Sequence, residues 1–443
     1  MRRIALATAL LAATAGVASA NGRPPGTSTI NFRQGTDSDV IAGMTFGAVI
    51  SHDSGATWHY FCEDAIGYGG MYDPDYAYSR TGKIFATTFN GLKVNKDGCV
   101  FEATPEGTKF VSSDELGPDG ALYVGMADPA DSDIYKSTDD GATFPAMTMP
   151  GQLNDWWQSL KIAPSDAQRI YLTGYRFAQS PIPDAGTVKQ FLLFTSTTGG
   201  ASWTPMAMDT ITADQNSAIE IAGISKTEPL TVYARVTLQN GVVGDALYRS
   251  INGGTTWTKI LEKGDALAAF VVRANGDIVA GTPTLGAQVS HDKGATWVPL
   301  ANPPHLNCLV ENAAGEVWGC TQNYGSQQVP GDNYGIMKTT DLVTWTGVLR
   351  YQDIQAPVVC PAGTVQKDKC EAVSWCGVKM QLGITSTAVA CGVQPGSEAT
   401  TSGDGGVPVK KGCCDTGAGA GPGALVMGIA IGVLVIRPRR RRR

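Results

Sequence analysis

The sequence predicts an all-β fold, a seven-bladed β-propeller, on three observations. A short turn phrase occurs seven times, and two strand-like segments precede each copy with the same count. Copies start 44, 42, 59, 54, 40 and 49 residues apart, the regime of propeller blades rather than helical solenoids. The strand-like segments are short β-branched and aromatic runs bounded by Gly, Asp, Asn and Pro, which are hairpin signals.

The chain has 443 residues, and its N-terminus precedes the repeats. Met1-Arg2-Arg3, an apolar run from Ile4 to Val17 and Ala18-Ser19-Ala20 read as a signal peptide over 1–20. Cleavage after Ala20 leaves Asn21 first in the mature chain. The repeats then fill 28–352. Five full-length turn phrases begin at Ser51 (SHDSGATW), Ser137 (STDDGATF), Ser196 (STTGGASW), Ser250 (SINGGTTW) and Ser290 (SHDKGATW). Shorter copies begin at Asn95 (NKDGCVF) and Thr339 (TTDLVTW). Middle strands start at Val40, Lys83, Ala121, Arg169, Thr231, Asp277 and Glu316. An alternating segment lies ahead of each, giving four strands per repeat.

Within the phrase the aspartate accepts backbone N–H bonds, the serine or threonine does so more weakly, and glycine supplies a special backbone angle. The closing Trp or Phe packs onto the blade. The phrase resembles the Asp box, or BNR repeat, of sialidases, sortilin-type receptors and other propellers. That resemblance implies a structural role for Asp53, Asp97, Asp139, Asn252, Asp292 and Asp341, away from the ligand face. Thr198 takes the aspartate's place in the fourth copy.

Ten cysteines in an exported chain point to disulfides. Cys308 and Cys320 lie equally far from Ala314, the centre of a predicted hairpin, so they face each other across two strands. Cys62, closing the first blade, and Cys99, in the second blade's turn, are expected neighbours. Cys360, Cys370, Cys376 and Cys391 form a cluster with three possible pairings, read as a disulfide-stapled module over 353–393. Their spacing lacks paired CxxC motifs and histidine, which argues against zinc. A flexible linker occupies 394–412.

The segment 413–443 contains Cys413-Cys414, a small-residue spacer, the apolar run Ala424 to Ile436 and a terminal arginine cluster. It reads as a transmembrane sorting segment with its basic end in the cytoplasm. This order resembles the myxobacterial C-terminal sorting signal (MYXO-CTERM). The resemblance implies a sorting protease acting near Cys413 or Cys414 and display at the cell surface or outer membrane through that segment or a lipid, or release after processing.

Formal charge is -6 for the whole chain, and it becomes -14 without the eight arginines of the two ends. An acidic exported body argues against nucleic acid as a partner. The strand-four-to-one and strand-two-to-three loops of a propeller open on one face. Here they carry Tyr72, Trp156, Trp157, Tyr175, Tyr324 and Tyr334, the candidate ligand face for an extracellular glycan or protein. An extended backbone turns Trp156 and Trp157 to opposite sides, so at most one of them is exposed.

No catalytic residue, metal site or cofactor is assigned. No GxSxG, HExxH, EF-hand or phosphate-binding loop is present. The alternative function is a sialidase-like glycoside hydrolase on the same scaffold. Asn31-Phe32-Arg33-Gln34 resembles that family's Phe-Arg-Ile-Pro signature, with Gln34 and Gly35 at the last two places. Such an enzyme needs three arginines converging on the channel beside a Tyr–Glu pair and an aspartate.

Overall fold

In the computed structural model, seven antiparallel sheets succeed one another along the chain, each built from strands consecutive in sequence. The structure describes residues 23–70, 72–180, 186–238, 244–326 and 329–391. Ala20, the linker 394–412, Cys413, Cys414 and the sorting segment lie outside the described residues. Among the described residues no helix is long and apolar enough to cross a membrane.

The first blade comprises Thr27–Phe32, Val40–Met44, Gly47–Ser51 and His59–Phe61. Its counterparts begin at Tyr76, Val111, Trp156, Ile219, Ala269 and Cys308. Each innermost strand touches the innermost strand of the next blade, and the seventh touches the first, so the ring closes. Second strands are wholly buried in five blades, as in Val40–Met44, Leu122–Met126 and Val317–Cys320. Neighbouring blades cover both of their faces, so their apolar residues run continuously instead of alternating. Blade three departs from the four-strand expectation. Its outer strand is reduced to a bridge between Tyr135 and Ala146, flanked by Pro145, which has no N–H to donate.

The repeated turn has one geometry. The Ser51, Ser137, Ser196, Ser250 and Ser290 hydroxyls accept the N–H of the glycine four residues on, at 2.7–2.9 Å. Asp53, Asp139 and Asp292 accept the backbone N–H and hydroxyl of the threonine before the aromatic. Thr198 and Asn252 accept the same N–H without charge. The residue ahead of the turn glycine is left-handed as well, with Ser54, Asp140 and Lys293 at φ 58–59°. A Cβ on Gly55 would approach Trp318 of blade seven to 2.9 Å, and one on Gly141 would approach Phe85 of blade two to 2.4 Å. Glycine therefore also lets a turn lie against the preceding blade.

These turns make the fold acid-sensitive. Hydrogen bonds from Thr143 and Ser137 hold the Asp139 carboxyl at about 2, and those from Thr296 and Ser290 do the same for Asp292. Amides of Thr344 and Val343 hold Asp341 at about 2. A carboxyl depressed on folding stabilises fully above its unfolded value of about 3.9, and that contribution is lost as pH falls through the folded value. Urea midpoints should therefore drop between about pH 4 and pH 2. The triple variant Asp139→Asn, Asp292→Asn, Asp341→Asn should flatten that drop; an unchanged slope would remove these turns as its cause.

Disulfide pairing corrects part of the sequence reading. Cys308 pairs with Cys320 across adjacent strands, as expected. Cys62 does not pair with Cys99. It bonds Cys370, Cys99 bonds Cys360, and only Cys376–Cys391 is internal to the terminal cluster. The cause is Ala356–Pro357, which adds to the outer strand of blade one as a fifth, parallel strand. That strand carries Cys360 to the second blade's turn. A helix of π type, Gln366–Ser374, then continues as the α-helix Trp375–Leu382. Its start is fixed where the Gln366 amide donates to the Tyr60 carbonyl at 2.7 Å. Trp375 lies 5.7 Å from the Tyr60 ring. The segment after the last blade is thus a clasp on the first.

Candidate functional site

Three loops around blade two open on the predicted ligand face, and each contributes an aromatic ring. Tyr72 comes from the connection into blade two, Phe89 from that blade's strand-two-to-three loop, and Phe110 from the connection into blade three. Phe89 stacks on Phe110 with centroids 4.9 Å apart and planes at 26°, and Tyr72 lies 4.5 Å from Phe89. Phe89 is 58% exposed. It sits at the tip of a tight turn in which Thr88 and Gly91 exchange backbone hydrogen bonds. Gly91 has φ 102°, and a Cβ there would meet the Gly107 backbone at 2.2 Å. The rigid turn leaves the ring outside.

Tyr72 is fixed as firmly. Its hydroxyl bonds the Thr87 hydroxyl at 2.7 Å, and the same Thr87 oxygen accepts the Asp75 N–H at 2.9 Å. Burial, reinforced by the Asp75, Asp114 and Asp73 carboxylates, pushes the Tyr72 phenol above its ordinary range. Asp75 begins the innermost strand region of blade two, so the platform borders the channel.

The channel is densely charged. Lys161 bonds Glu115 at 2.7 Å, and Glu115 and Asp75 hold the lysine above its usual value. Arg235 pairs with Glu220. Asp114 is 6% exposed, and neither of its carboxylate oxygens has a hydrogen-bond partner. Burial, with the charges of Asp75 and Glu115, pushes its carboxyl well above the carboxylate range. Asn31, Gln34, Asp114, Lys226 and Glu311 line a polar cavity of about 410 Å³ at the strand-one-to-two end of the first strands, the end opposite the aromatic platform.

The other candidate residues are distributed differently. Tyr175 joins Phe177 and Lys189 on the long hairpin of blade four, with the Lys189 ammonium 4.3 Å from the Tyr175 ring. Trp156 is half-buried. Trp157 is 1% exposed and donates from its indole to the Ser132 carbonyl, so it belongs to the core and not to the ligand face. Tyr324 donates to the Leu382 carbonyl at 2.6 Å, under the clasp, and Tyr334 packs on Gly347. Sequence reading missed Phe89 and Phe110, whose segments read as strand continuations. The Asn90-Gly91 dipeptide after Phe89 was the available signal, since it marks a turn tip.

The arginines do not converge. Arg33 pairs with Asp39 and donates to the Arg80 carbonyl, Arg176 pairs with Asp155, Arg273 with Glu311 and Arg350 with Asp353. These four guanidiniums are held by their own partners, on blades one, four, six and seven. Among the described residues no group of three or more His, Cys, Asp or Glu side chains could hold a metal ion.

The class is therefore an all-β, seven-bladed, disulfide-bonded propeller with an aromatic platform on its loop face. No protein-family model matches the chain. A xyloglucanase from a Paenibacillus species is 33% identical over 142 residues, which cover 32% of this chain and 13% of the xyloglucanase. The matched region is thus a small part of that relative. Solved structures similar to this chain include the extracellular domain of a protein described as a one-component system from B. thetaiotaomicron, with TM-score 0.49, 13% identity, and coverage of 70% of this chain and 38% of that one. An ancestral GH74 enzyme has TM-score 0.46 and 14% identity, with 66% and 43% covered.

Proposed function

We propose that this chain is an Asp-box propeller, exported and held at the cell surface, that binds an extracellular glycan on its loop face without transforming it. The observation that carries this reading is the Tyr72–Phe89–Phe110 platform. Phe89 remains 58% exposed although it is stacked on Phe110, and a contiguous exposed apolar patch marks a binding surface. The C–H face of a pyranose is apolar and its rim is hydroxylated, which suits flat rings beside carboxylates. The short resemblance to a xyloglucanase is consistent with a glycan ligand. Dispersal of the arginines removes the support for a sialidase-like site.

Phe89→Ala should lower glycan affinity about tenfold or more, as loss of a central aromatic contact does, and leave the unfolding midpoint almost unchanged. Immobilised-glycan binding with the purified full chain measures this; equal affinity of variant and parent would exclude the platform. Surface attachment is assigned to 413–443, with a sorting protease acting near Cys413 or Cys414. Deleting that segment should send the protein into the medium. Continued cell attachment, read by blotting fractions, would refute the anchor.

A further inference from the structure

Carboxylates outnumber cations around the platform. Asp73 is paired with Arg23 and Asp131 with Lys109. Asp75, Glu106, Asp114, Asp128 and Asp133 have no ion pair among the described residues; Lys109, which acts on Glu106 and Asp128 as well, is bonded to Asp131, and Lys161, which acts on Asp75 and Asp114, is bonded to Glu115. Asp73 and Asp75 share the connection that carries Tyr72, Asp114 lies in the innermost strand of blade three, and Asp128, Asp131 and Asp133 lie on the neighbouring strand-two-to-three loop of that blade. Glu106 and Phe110 share the connection into blade three, and the Phe110 carbonyl accepts the Ala127 N–H at the start of the loop carrying Asp128 and Asp133.

Burial raises the carboxyls of Glu106 and Asp133, with the Asp131 charge adding to the rise and Lys109 opposing it. Asp114 independently shows the same deficit, as a buried carboxylate without a partner beside Asp75 and Glu115. Uncompensated carboxylates close to a binding surface cost stability, and a cationic ligand would relieve that cost on binding. Exposed aromatic faces attract the same ligand, because a ring's negative face favours an adjacent cation.

Resting on the glycan reading, we propose that the ligand is an amino-sugar polymer with free ammonium groups. Its pyranose faces lie on Phe89 and Phe110, and its ammonium groups face Asp75, Glu106, Asp128 and Asp133. The stacked pair favours a sugar over a basic peptide. It offers a flat double-width surface suited to rings, whereas a lysine side chain presents only a narrow methylene stem.

The test compares, on the purified full chain, a glucosamine hexamer, its fully N-acetylated counterpart, a neutral glucose hexamer of the same linkage, and hexalysine. The glucosamine hexamer should bind about tenfold tighter than either uncharged hexamer, and about 0.5 M salt should erase that margin. The double variant Asp75→Asn, Glu106→Gln should bring its affinity down to that of the N-acetylated hexamer. Equal binding of charged and uncharged hexamers, with Phe89→Ala weakening both, would overturn the charge assignment and spare the glycan reading. Hexalysine binding as tightly as glucosamine hexamer would overturn the sugar assignment. Failure of every saccharide to bind would take down both readings.

Discussion

Replacing Cys62 and Cys370 by serine should destabilise the propeller by about 4 kcal/mol, an effect matched only by loss of Cys99–Cys360 among the single cross-links. The bond joins residues 308 apart. With Cys99–Cys360 intact, however, the loop it closes consists only of the stretch from Cys62 to Cys99 and the stretch from Cys360 to Cys370, about 47 residues. Chain entropy then sets the loss at about 4 kcal/mol, and removing Cys99–Cys360 as well, which then closes a loop of 261 residues, raises it to about 10. Loss of Cys308–Cys320, separated by 12 residues, should cost about 3 kcal/mol on the same scale. Urea unfolding of the three variants tests this ranking. If the Cys308–Cys320 variant proves the least stable, the clasp is not what holds the ends.

Trp318→Ala should cost about 4 kcal/mol, within the range for truncating a fully buried tryptophan. Trp318 lies in the second strand of blade seven with no exposed surface. It packs edge-on against Phe32 of blade one at 5.1 Å and touches the blade-one turn at Gly55. Its indole also donates to Glu316 at 3.2 Å. Truncation therefore opens a cavity at the seam between the last and first blades, which the chain itself crosses only at the outer strands, from Leu349 to Ala356. Trp318→Phe should recover part of the loss by filling most of that volume. Trp156→Ala, at a half-buried position, should cost much less. Comparable midpoints for Trp318→Ala and Trp156→Ala would refute the seam's importance. A double-mutant cycle with Phe32→Ala should show coupling, since the two rings share one contact.

Both results concern closure, which was hard to read in the sequence for a definite reason. Blade count was legible because each blade is a local meander. The serine, aspartate, glycine and aromatic of a turn interact within eight residues, so their spacing records their geometry. Cys308–Cys320 was legible on the same ground, as a pair across one hairpin. Cys62 and Cys99 also looked local, each at the outer edge of a neighbouring blade. Their true partners arrive on a strand from the far end of the chain, and no periodicity marks that strand.

The ligand face was legible in part. Tyr72 and Tyr175 are carried by loops whose place follows from strand order. Phe89 and Phe110 were hidden because a Phe at the end of a β-rich run looks like core until the Thr88–Gly91 turn sets its direction. Trp157 shows the converse, since an aromatic beside an Asn-Asp turn looks available and instead donates to Ser132 inside the blade stack. Channel charge was not legible either. Asp75, Asp114, Glu115 and Lys161 stand on three blades, and only ring closure brings them together.

By itself the sequence determined the repeating unit, its number and the local hydrogen bonds of each turn, because these interactions span a few residues and repeat. Only the tertiary structure decided which blade is clasped to which end, which rings face solvent and which carboxylates lack a cation. Those depend on residues up to 308 positions apart, and contacts at that distance are set by closure of the ring.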